Sequence, residues 1–89
     1  MEVELLGFLQ RASGASRVEV EAATVGEALA ALTTRYGEKF RRELMTADGG
    51  LKRGIAILVN GRNINFLQGM DTSLNPGDRI TIIPPAAGG

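Results

Sequence analysis

One amphipathic helix lies between two sets of alternating apolar residues, and that order limits the chain more than any other feature. Thr24-Val25-Gly26-Glu27 is a capping box, in which a threonine hydroxyl and a glutamate carboxylate satisfy amide donors that the first helical turn leaves unpaired. Val25, Ala28, Leu29, Leu32 and Tyr36 then recur at helical spacing, and Gly37 supplies the stop. Upstream, Val3, Leu5 and Leu9 alternate with Glu2, Glu4 and Phe8, and Val18 and Val20 alternate with Glu19 and Glu21. These period-2 runs predict an N-terminal β-hairpin around Ala12-Ser13-Gly14-Ala15-Ser16. Downstream, Phe40 and Leu44 suggest a short helical piece from Glu38 to Met45, and the three glycines between Thr46 and Gly54 read as a mobile loop. Ile55 to Val59 is a β-rich run that meets Asn60-Gly61, the pair favoured where both turn residues need positive φ, with Ile64 and Phe66 continuing a second hairpin. Asn75-Pro76-Gly77-Asp78 is turn chemistry, and Arg79-Ile80-Thr81-Ile82-Ile83 alternates as the final strand.

The order is therefore ββ, helix, ββ and a last strand. With 89 residues there is one core and one domain, and a single helix covers one face of a small sheet. This is an α+β fold of the β-grasp type: a mixed sheet of four to five strands covered on one face by a helix. The domain spans residues 1–83, and residues 84–89 form a flexible C-terminal tail. The buried set is Val3, Leu5, Leu9, Val18, Val20, Val25, Leu29, Leu32, Ile57, Val59, Leu74, Ile80 and Ile82. Strand parity leaves Leu6, Phe8 and Ile83 on the opposite, solvent-facing side, with Glu2, Glu4, Arg79 and Thr81.

Several kinds of function are disfavoured. Cysteine and histidine are both absent, which removes disulfides, thiolate or imidazole metal sites and every Ser-His or Cys-His nucleophile pair. Catalysis by this chain alone is not expected, nor a bound metal. Basic and acidic residues balance at ten each, without the positive excess of a general nucleic-acid binder. No apolar run reaches the length of a membrane span, and Met1-Glu2-Val3-Glu4 is unlike the basic start of a signal peptide, so a cytoplasmic location is expected. Glu2, Glu4, Glu19 and Glu21 read as a solvated hairpin face rather than a metal or acid-base cluster. Arg35, Lys39, Arg41 and Arg42 complement a helix C-terminus. Gly26 costs close to 1 kcal/mol relative to alanine inside a first helical turn, so a neighbouring strand is expected to approach it closely.

The last six residues, Pro84-Pro85-Ala86-Ala87-Gly88-Gly89, carry the candidate working group. Two prolines end the strand and turn the chain away from the sheet, and the glycines thread a slot too tight for any β-carbon. The Gly89 carboxylate is then the reactive end.

The chain resembles the small subunit of molybdopterin synthase, a ubiquitin-like sulfur carrier. The resemblance runs through Leu6-Gly7-Phe8-Leu9 with Gly14, Ala23 to Leu29, Val59-Asn60-Gly61, Leu74 with Gly77-Asp78, and the terminal Pro-Pro-Ala-Ala-Gly-Gly. It departs at Gln10-Arg11, at Arg79, and at Leu6 and Ile83, where that family often carries Arg-Glu, an acid and aromatic residues. The resemblance implies that a ubiquitin-activating-type enzyme adenylates Gly89 with ATP and that a sulfur donor converts the acyl-adenylate into a thiocarboxylate. The tail, Pro84 to Gly88 leading to Gly89, would enter the catalytic large subunit of molybdopterin synthase, with Leu6, Phe8 and Ile83 as the docking face. The chain itself would hold no cofactor and would be the non-catalytic partner. Sulfur delivery for thiamine or tRNA thiolation, conjugation through Gly89 to lysines, and an inert interaction module are the competing readings.

Overall fold

The computed structural model describes residues 1–85. Strand β1 (Glu2–Leu5) leads into helix α1 (Gly7–Ser13) and strand β2 (Arg17–Glu19). Helices α2 (Val25–Tyr36) and α3 (Glu38–Leu44) follow, then β3 (Ala56–Val59), β4 (Arg62–Asn63), two 3-10 turns (Ile64–Phe66 and Gly69–Asp71) and β5 (Arg79–Ile83). The five strands form one mixed sheet in the order β2-β1-β5-β3-β4. β5, last in sequence, sits at the centre, parallel to β1 and antiparallel to β3. Helical residues cover one face, which is the β-grasp architecture.

The sequence signals act locally as chemistry requires. Thr24 Oγ1 accepts from the Glu27 N–H at 3.2 Å, and the Glu27 carboxylate accepts from the Ala23 N–H at 3.1 Å, so the capping box closes one residue further back than its simplest form. From α2, Val25, Ala28, Leu29 and Leu32 point inward, and each large member stabilises the fold by about 1.5–3 kcal/mol on burial. They join Val3, Leu5, Leu9, Val18, Val20, Ile57, Val59, Leu74, Ile80 and Ile82 in one cluster, so every expected core residue is buried. Phe40, Leu44 and Ile64 complete it. Asn60 and Gly61 both take positive φ, 51° and 85°, as a hairpin turn of this kind demands.

Four expectations are corrected. β1 and β2 do pair antiparallel, with Val3 opposite Val18, but α1 joins them in place of a tight turn. Leu9 satisfies both a strand and a helix period, whereas Phe8 and Ala12, four apart, pack on the core only because the segment is helical. Phe8 therefore does not stand on the solvent-facing side of a strand. β4 ends after Asn63, whose side chain accepts the Asn65 N–H at 2.8 Å and bends the chain out of the ladder; Ile64 is buried and Phe66 is 86% exposed. The segment from Thr46 is a loop, as expected, and it closes on itself: Thr46 N–H donates to Gly50 O at 2.7 Å and Met45 bridges Leu51. Gly26 is approached by a 3-10 turn rather than by a strand, since a β-carbon there would lie 3.3 Å from the Met70 carbonyl oxygen.

Candidate functional site

The site is the platform from which the C-terminal tail departs. β5 carries the chain between its neighbours, with Leu5 opposite Ile82 on one side and Ala56 opposite Ile83 on the other. Alternation along β5 sends Ile80 and Ile82 into the core, leaving Arg79, Thr81 and Ile83 on the open face. Leu6 is still extended, with φ −116° and ψ 160°, so it follows Leu5 into the position beside Ile83. Leu6 and Ile83 are both half-buried. Phe8 lies in α1, packed partly on the core, so the strand parity that grouped it with them does not apply.

Pro84 and Pro85 follow directly and are half-buried. A glycine meets each of them. A β-carbon on Gly7 would lie 2.7 Å from Pro84 Cγ, and one on Gly54 would lie 2.9 Å from Pro85 Cβ. Both glycines also have left-handed backbones, with φ +57° and +89°, a region that side chains strain. Sequence reading did not single out this contact. A glycine inside the apolar Leu6-Gly7-Phe8-Leu9 run was the available signal, since an isolated glycine in such a pattern marks close backbone approach. Ala86, Ala87, Gly88 and Gly89, the expected tail insertion and attachment residues, lie outside the described residues.

The electrostatics of the open face are graded. At the end remote from the tail, Glu19, Glu2 and Arg79 are successive cross-strand neighbours, and the Arg79 guanidinium pairs with Glu2 at 3.2 Å. Arg79 thereby offsets the repulsion between Glu2 and Glu19. In the middle row Arg17, Glu4, Thr81 and Leu58 align. Beside the tail the row becomes apolar: Leu6, Ile83 and Ala56. Exposed Lys52 and Arg53 precede Gly54 at this end.

Chemistry beyond this is sparse. Among the described residues there is no group of three or more acidic, histidine or cysteine residues placed to hold a metal ion. No helix among them is long and apolar enough to cross a membrane. A surface depression of about 480 Å³ is lined by Phe66, Leu67, Gln68, Thr72 and Ser73, none of which belongs to the tail platform. The arrangement gathers an apolar strip and two seated prolines at the end of the central strand.

Comparisons with known proteins fit this geometry. The chain matches the ThiS family over residues 3–89. It is 40% identical over 67 residues to small archaeal modifier protein 3 of Haloferax volcanii, covering 75% of this chain and 71% of that protein. It is 31% identical over 77 residues to the sulfur carrier protein CysO of Mycobacterium tuberculosis, covering 85% and 83% of the two. The solution structure of small archaeal modifier protein 1 from Methanosarcina acetivorans superposes with a TM-score of 0.86 at 32% identity, covering 99% of this chain and 94% of that one.

Proposed function

The chain belongs to the ThiS family of ubiquitin-like sulfur carriers, and from that premise we propose that it carries sulfur as a thiocarboxylate on Gly89 for molybdopterin synthesis. The observation that supports the reading is the docking of Pro84 and Pro85 against Gly7 and Gly54 at the end of the central strand, where the ladder stops. An activating enzyme of the ubiquitin-activating type joins the Gly89 carboxylate to the AMP moiety of ATP with release of pyrophosphate. A carboxylate oxygen is a poor leaving group, whereas AMP departs readily, and glycine has no side chain to obstruct attack on its carbonyl. A sulfur donor then displaces AMP and leaves the thiocarboxylate. The tail delivers that sulfur inside the large subunit of molybdopterin synthase: sulfur bonds to the acceptor, and water then cleaves the acyl carbon–sulfur bond, supplying the oxygen that regenerates the carboxylate. In this scheme the chain supplies the reagent and binds no cofactor, while ATP is consumed by the activating enzyme.

A second reading has a specific observation in its favour: the 40% identity to a protein named as a modifier. The same acyl-adenylate, attacked by a lysine amine, gives an isopeptide bond through Gly89. Sulfur delivery to another pathway, such as thiamine or tRNA thiolation, uses the same thiocarboxylate.

Incubation with the activating enzyme, ATP and a sulfur donor is expected to raise the intact mass by the difference between sulfur and oxygen. Deleting Gly89, or appending one residue after it, is expected to abolish the gain. An unchanged mass with an enzyme of proven activity would overturn the carrier reading. A strain lacking the gene is expected to lose molybdopterin and to regain it with the intact chain but not with one lacking Gly88-Gly89. Normal molybdopterin in that strain, with branched lysines bearing this chain's C-terminal peptide, would move the assignment to the modifier.

A further inference from the structure

We propose that Gly7 and Gly54 are positioning residues, which together form a seat that fixes the direction in which the chain leaves the domain. The proposal rests on the reading that Gly89 is the group presented, and it adds how this chain aims that group. Gly7 follows β1 and Gly54 precedes β3, the two strands that flank β5. The prolines are therefore held from both sides of the strand that delivers them. Gly7 receives the Pro84 ring and Gly54 the Pro85 ring, at separations that leave no room for a β-carbon on either glycine. Each proline has φ set by its own ring, so once both rings are seated ψ is the main rotation left before residue 86.

Seating has a consequence for reach. Six free residues would span roughly 20 Å at about 3.3 Å each, whereas the four beyond the seat span roughly 13 Å. A slot that receives residue 89 must therefore lie within roughly 13 Å of the seat. A partner that binds only the correctly aimed fraction of chains has its apparent affinity lowered in proportion when aim is lost.

The absence of cysteine permits a single nitroxide label at Ala87→Cys, and the free protein reports the aim by the set of amides that the label broadens. In the otherwise native chain the broadening is expected to fall on one side of the tail platform. In Gly7→Ala and Gly54→Ala it is expected to spread over both. Gly14→Ala and Gly49→Ala are matched controls: both glycines have positive φ, +77° and +91°, and an added β-carbon at either meets nothing within 4 Å. These controls share the backbone strain without the collision and are expected to keep the native pattern. Pro84→Ala empties the seat from the other side without altering any glycine, which keeps the test decisive if Gly7→Ala fails to fold. In ATP–pyrophosphate exchange with the activating enzyme, the seat variants are expected to raise KM for this chain about tenfold with kcat retained. Broadening in the seat variants indistinguishable from the controls overturns the seat, and equal KM values overturn its positioning role. Absence of exchange with the native chain counts instead against the carrier reading, while the label still decides the seat.

Discussion

The carboxylate of Asp78 ties two turns together. It accepts the Asn75 N–H at 2.8 Å and the Asn60 side-chain amide at 3.0 Å, and Asn60 in turn accepts the Arg79 N–H at 3.0 Å. The turn that opens β5 is thus fastened to the turn between β3 and β4. The Asn75 N–H, with the Asn60 amide second, holds the Asp78 pKa below the usual carboxylate range. A carboxyl whose pKa is lower in the folded than in the unfolded state stabilises the fold above its unfolded value of about 3.9, and that contribution is lost as pH falls through the folded value. Thermal unfolding of Asp78→Asn is expected at a lower temperature than wild type at pH 7, with the difference narrowing as the pH falls below about 4. Parallel melting curves across that range would show that the clasp adds nothing. Glu2 and Arg79, by contrast, form a surface pair, Arg79 exposed and Glu2 half-buried, whose contribution is about 0–1 kcal/mol.

Among the elements, α3 is short and leans on packing. Its N-terminus has no side-chain cap, and Gly37 turns the chain sharply out of α2 with φ 90°. Phe40 is fully buried, and its ring meets that of Tyr36 at 5.3 Å between centroids across the helix junction. Phe40→Ala is expected to cost about 3–5 kcal/mol, measured by denaturant unfolding. A loss near that of an exposed site would mean that the junction collapses around the cavity. The elements differ in how plainly the sequence announces them. α2 has a cap, a period and a stop, and β5 has strict alternation after a turn, so both were readable. α1 was hidden because Leu9 sits inward under either period, and β4 because the Asn63 side chain, not a glycine or proline, ends the ladder. Phe40, Leu44 and Ile64 escaped the expected core because segments of seven residues or fewer leave too few repeats to define an inward face. At the tail, prolines after a strand are an evident signal, but residue 7 meeting residue 84, and 54 meeting 85, follow from strand order rather than from any local pattern.

For the molecule as a whole, the uncovered sheet face divides into a charged end and an apolar end, and the tail leaves from the apolar one. Leu6 and Ile83 lie where a partner of the proposed kind would first meet the domain. Leu6→Asp or Ile83→Asp is expected to weaken binding to the catalytic partner by about 2 kcal/mol or more, as for residues near the centre of an interface. Calorimetric titration gives the affinity, and a nearly unchanged melting temperature separates lost contact from lost fold. Equal affinity would make the pair bystander surface. The central place of β5 also has a bearing on synthesis. β1 and β3 each require β5 as a ladder partner, yet it is made after both, so the nascent chain cannot close its sheet until residue 83 has left the ribosome. A chain broken off before that strand leaves β1 and β3 without their shared partner, and proteolysis of unfolded chains is then expected to remove it.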